Sequence, residues 1–188
     1  LFRLERTGEN RFKIRQFTHQ KDDPYSLSYN SIYTIFQDSK KRIWVGCYGG
    51  GLNLIEETQE GNIRFLHSGN KLTGYSKDRF AKVRYITEAN QVLLVGTTEG
   101  LLTFSSEFTQ PEQIEFYRNI RIPDKVSSLC SNDVIYIYTD SRKDTYVLSF
   151  TGGLNKILSE NLLSNEIEFK TYTTQNGLPS DLVESMIE

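Results

Sequence analysis

The chain has 188 residues, of which 37% are hydrophobic and 24% charged, with a formal net charge of −2. Those numbers fit one ordinary globular domain and exclude a disordered chain, while interspersed charges leave no basic field that would recruit nucleic acid. No apolar run approaches the roughly 18 residues of a membrane helix and Leu1 does not open a signal peptide, so any membrane contact is expected only through an anchor outside this segment.

Along the chain, residues 1–18 read as the end of a repeated unit: Leu1–Glu5 aligns with Leu52–Glu56, and Phe12-Lys13-Ile14 is a partial copy of a segment that returns later. A polar linker containing His19 and Asp22-Asp23-Pro24 leads to Tyr25–Asn30. The first complete unit, 30–68, predicts four strands. Ser31–Phe36 is β-branched and aromatic, and Gln37–Lys41 turns. Ile43–Cys47 is the second strand, and Gly49-Gly50-Gly51 permits a reversal into Leu52–Ile55. Polar Glu56–Asn62 precedes a fourth strand at Ile63–His67.

The second unit, 79–119, repeats this order. Val92-Leu93-Leu94-Val95-Gly96 answers Ile43–Gly46, Gly100-Leu101 answers Gly51-Leu52, and Ile114-Glu115-Phe116 answers Ile63-Arg64-Phe65. In the third unit, 131–173, Asp140 to Ile157 (DSRKDTYVLSFTGGLNKI) copies Asp38 to Ile55 (DSKKRIWVGCYGGGLNLI) at equal length, and Ile167-Glu168-Phe169 closes the pattern. Ser159–Asn165 has room for one short turn. Residues 178–188 align with Leu27–Gln37 and predict the first strand of a following unit.

Four short strands joined by hairpins and repeated about every 50 residues describe an all-β fold, a β-propeller fragment of four-stranded antiparallel blades. A lone meander exposes two apolar faces, and stacking blades buries them. Three units with flanking pieces fall short of the usual four to eight blades, so a segment of a larger propeller is expected, with open edges suited to a homodimer.

The first unit, with Asp38, Trp44, Val45, Gly46 and Gly50-Gly51-Leu52, together with Gly177-Leu178-Pro179-Ser180, resembles the two-component regulator propeller repeat of Bacteroides-type hybrid sensors. The resemblance implies a periplasmic sensor region built of propellers, one membrane helix, cytoplasmic histidine kinase and response-regulator domains in the same parent chain, and an oligosaccharide ligand. The later units depart from the motif, with Leu93 and Tyr146 in place of the tryptophan and Ala89-Asn90 in place of the Asp turn.

The residues themselves nominate no catalytic, cofactor or metal site, and ligand-binding residues stay unassigned. The glycine cluster lacks the GxxxxGK[ST] order and does not lead into a helix, which argues against a phosphate loop. Trp44 reads as packing ahead of sugar stacking, and Asp38 and Asp140 read as turn residues. His19 and His67 read as surface residues, since neither has a nucleophile or carboxylate at motif spacing. Cys47 and Cys130 form no CxxC and read as small residues on strands; a disulfide between them is left open. Two other function classes stay in view beside the sensor: a propeller lyase or hydrolase, and a protein-binding scaffold.

Overall fold

The computed structural model describes residues 1–188, in which a two-stranded sheet precedes three four-stranded antiparallel sheets. The short sheet pairs β1 (Phe2–Gly8) with β2 (Arg11–Gln16). Blade one contains β3 (Ile32–Gln37), β4 (Ile43–Cys47), β5 (Gly51–Glu57) and β6 (Ile63–Leu66). A short helix, α1 (Lys77–Phe80), leads into blade two, with β7 (Val83–Ala89), β8 (Val92–Thr97), β9 (Gly100–Ser105) and β10 (Tyr117–Asn119). Blade three contains β11 (Val134–Thr139), β12 (Thr145–Ser149), β13 (Leu154–Ile157) and β14 (Phe169–Tyr172). Each blade is a meander in chain order, and the first strands touch across blades, β3 against β7 and β7 against β11.

The middle blade shows why its strands read as apolar runs. Successive side chains of a strand point to opposite faces. Leu93 and Val95 of β8 join Trp44, Leu52 and Val83 in a core between blades one and two, whereas Val92 and Leu94 join Val134 and Val147 between blades two and three. Both faces of β8 are therefore covered, and all six of its residues are buried. A smaller core of Leu27, Val45, Cys47 and Phe65 packs against Leu1 and Phe17 on the outer side of blade one.

Three expectations shift. The fourth strand of blade two lies at Tyr117–Asn119, just beyond Ile114-Glu115-Phe116, and that of blade three at Phe169–Tyr172, starting only at the last residue of Ile167-Glu168-Phe169. Ile114 and Ile167 are apolar because they plug the cores from loops. The helix α1 was not signalled, since its one turn carries no period. Residues 178–188 form no paired strand, because a first strand needs the second strand of its own blade as partner. They nevertheless bind blade three: Ser141 N–H and Oγ donate to Glu188 at 2.7 and 2.5 Å, as Ser39 N–H and Oγ donate to Glu88 of β7 at 2.6 and 2.8 Å. The segment thus sits where the sequence alignment puts a first strand, without that strand's ladder.

Candidate functional site

Antiparallel order sends the start of each first strand, the β4–β5-type hairpin and the blade-to-blade linker to one rim, and the Asp38–Arg42 and Thr58–Asn62 turns to the other. The linker rim is built around the glycine cluster. Gly49 N–H and Gly51 N–H both donate to Ala81 O at 2.8 Å, and Tyr48 bridges Lys82, which fastens blade one's hairpin to the linker. Gly49 (φ +128°) and Gly51 (φ +75°) need the left-handed region, and each makes room for a ring: an added Cβ would lie 2.8 Å from Tyr29 and 2.6 Å from Tyr75. The glycines therefore seat tyrosines, and the Gly49 and Gly51 amides are taken by Ala81 O.

Each first strand carries a bulge at the same place, with Tyr33, Arg84 and Ile135 as the unpaired residue. A bulge bends the strand and re-aims one side chain, which is why bulges recur at rims and sites. Tyr33 is 54% exposed and stacks on Tyr48 with centroids 4.6 Å apart and planes at 21°. Lys82 Nζ and the Arg84 guanidinium lie 5.4 and 5.5 Å from the Tyr48 ring centroid. Arg84 is also held by Asp133 through two bonds of 2.6 and 2.9 Å, which joins blade two to the linker before blade three. The rim thus presents an exposed aromatic stack flanked by two cations and one acid, fixed by bidentate geometry.

Deeper along the first strands, Tyr85 and Tyr136 meet with centroids 4.6 Å apart. Partial burial, then the neighbouring Tyr136 hydroxyl, pushes the Tyr85 phenol up to about 12, so it stays protonated at neutral pH. On the same linker rim, α1 and the linker after β10 border a cleft of about 460 Å³.

The residues singled out from sequence fall into structural roles. Trp44 is fully buried, with its ring edge-on to Phe104 at 5.1 Å, and it does not reach the rim. Asp38 is more than a turn former: its carboxylate accepts from Trp44 Nε1 at 2.9 Å, Arg42 Nε at 2.7 Å and the Lys40 and Arg42 amides. The Asp140 carboxylate accepts only from the Arg142 and Asp144 amides. His19 is exposed, with Nδ1 2.8 Å from Leu27 O, whereas His67 is half-buried, correcting the expectation of a surface residue; its Nδ1 accepts from Gly69 N–H at 3.0 Å. Both cysteines are free, which answers the open disulfide; Cys47 is buried on β4, and Cys130 lies in a linker rather than on a strand. Burial pushes the Cys47 thiol above its ordinary value.

Sequence reasoning missed Tyr33, Tyr48, Lys82, Arg84 and Asp133. The one usable signal was the break in repeat identity, since the bulge position reads Tyr, Arg, Ile across three otherwise conforming strands.

The fold defines the chain as a segment of a β-propeller. Residues 26–49, the lead-in and first two strands of blade one, match the family model described as two component regulator propeller. No curated protein matches the chain. Among solved structures, the extracellular domain assigned to the hybrid two component system BT3049 of B. thetaiotaomicron is similar over 85% of this chain and 21% of its own, at 18% identity and a TM-score of 0.65. The extracellular domain assigned to the one component system BT4673 of the same organism is similar over 94% of this chain and 24% of its own, at 18% identity and a TM-score of 0.60. The chain therefore spans about a fifth to a quarter of the length of the solved chains it matches, and the likeness is one of fold.

Proposed function

We propose that the chain is a non-catalytic part of the periplasmic sensor region of a hybrid two-component signalling protein, that its linker rim binds an oligosaccharide, and that binding is passed through stacked blades to a cytoplasmic histidine kinase. The observation that carries the ligand reading is the exposed Tyr33–Tyr48 stack at a strand bulge, with Lys82 and Arg84 beside it. A sugar ring offers one weakly polar C–H face for an aromatic and a perimeter of hydroxyls for fixed charged groups, which is what this rim presents. The repeat match and the sensor-domain neighbours support the signalling context.

The apolar groove of about 340 Å³ between β1 and blade one, lined by Phe2, Phe17, Ile35, Ile43 and Ile55, supports further blades of the same parent chain as its cover. Both other blade interfaces here bury such rows between sheets.

Calorimetric titration of the intact protein with oligosaccharides from plant and host glycans tests the reading. Binding without turnover, weakened about tenfold or more by Tyr48→Ala, is expected. Release of new reducing ends from any bound glycan would show an enzyme instead.

A further inference from the structure

We infer that the cleft between α1 and the linker after β10 is a subsite for an acidic sugar residue, whose carboxylate or sulfate lies between Arg79 and Arg118. This rests on the reading that the linker rim binds a saccharide, and it names the chemical class. The cleft, of about 460 Å³, has the size of a small-ligand pocket and adjoins a second cavity of about 190 Å³ that both arginines also border.

Arg42 binds Asp38 and Arg84 binds Asp133, so these two guanidinium groups are already committed within the chain. Arg79 and Arg118 have no carboxylate within ion-pair distance and no side-chain hydrogen bond; Arg79 is exposed on α1, and Arg118 is half-buried on a paired strand at the same cleft. Its backbone is fixed, the Arg118 N–H donating to Asn165 Oδ1 at 2.7 Å. Asn132 also borders the cleft. Its Oδ1 accepts from Arg121 N–H at 2.6 Å, which leaves its amide NH2 as a donor. The cleft is also lined by the exposed carboxylates of Asp78 and Glu99, likewise free of ion pairs, with Phe80 and Ile120 supplying apolar wall.

That mixture discriminates between ligands. A bare inorganic anion would meet two carboxylates along with the two guanidinium groups. A neutral sugar would satisfy Asp78 and Glu99 with its hydroxyls and take the arginines partly out of water with no counter-charge. A ring that carries hydroxyls and one acid group satisfies both sets, and a planar guanidinium matches a carboxylate or sulfate through two bonds.

The intact protein is titrated with uronic-acid disaccharides, sulfated disaccharides and their neutral counterparts, with a dipeptide as a zwitterionic control. We expect a carboxylated or sulfated member to bind about tenfold or more tightly than its neutral counterpart. That advantage should collapse in Arg79→Gln and Arg118→Gln, persist in part in Arg118→Lys, and shrink as salt rises. Neither arginine side chain bonds another residue, so unchanged melting temperatures will show that the variants fold. Equal binding of acidic and neutral sugars, an advantage that survives both substitutions, or preference for the dipeptide would overturn the subsite. Neutral-sugar binding lost in Tyr48→Ala but indifferent to both arginines would overturn the acidic subsite and leave saccharide binding standing, whereas no binding by any saccharide would overturn both.

Discussion

Asp38 joins a turn to a core. One carboxylate oxygen takes two turn amides, while the other takes the buried Trp44 N–H and the Arg42 side chain. Asp38→Ala should therefore cost about 2–4 kcal/mol, since it leaves a buried indole donor unpaired and opens the turn. Trp44→Ala should cost about 3–5 kcal/mol, mostly through the cavity left against Phe104. Urea denaturation checks both. The packing role of Trp44 was legible because leucine and tyrosine replace it in the other units. The indole–carboxylate bond was not, because it depends on a hairpin folding one residue's ring over another's side chain. His67 adds a pH effect. Burial holds its folded pKa below the ordinary 6.5, so the unfolded chain takes up the proton first. Stability should thus be unaffected by His67 well above pH 6.5 and fall as the pH drops through that value, and His67→Gln should flatten the decline between urea midpoints measured at pH 7.5 and 5.5.

The elements that the repeat predicts well are those buried on both faces. β4, β8 and β12 could be read from sequence because stacked blades demand apolar side chains in both directions, and the hairpin glycines because a left-handed turn demands them. Ile114 and Ile167 misled for the same reason: an apolar side chain plugs a core equally well from a loop, so the fourth strands begin after the isoleucine that opens their hydrophobic motif. The bulges were illegible because one skipped residue leaves the strand composition unchanged. Two glycine substitutions separate backbone conformation from close approach. Gly61 has φ +78° with no atom within 4 Å of an added Cβ, and Gly61→Ala should cost about 1–2 kcal/mol. Gly51→Ala adds a 2.6 Å clash with Tyr75 to φ +75° and should cost clearly more, as a larger drop in melting temperature.

At the scale of the molecule, blades one and two are joined by a shared core and the Ser39–Glu88 clasp, blades two and three by a shared core and the Arg84–Asp133 pair, and blade three holds the following segment through Ser141–Glu188. The propeller architecture could be read from a period of about 50 residues because every copy must solve the same burial problem. The rim could not, since the bulge position that shapes it reads Tyr33, Arg84 and Ile135 in the three copies and so leaves no repeated signature. Phe2, Leu4, Phe12, Ile14 and Ile35 remain 55–63% exposed, so chain 1–188 expressed alone should self-associate in size-exclusion chromatography, and exchanging Leu4 and Ile14 for threonine should reduce that association. Hydrogen exchange on the intact protein, with and without a bound oligosaccharide, tests directly whether the linker rim holds the ligand. Slower exchange is expected at residues 29–33, 48–51 and 77–84 on the linker rim, with the turns at 38–42 and 58–62 unchanged. Protection confined to those turns, with none on the linker rim, would contradict it.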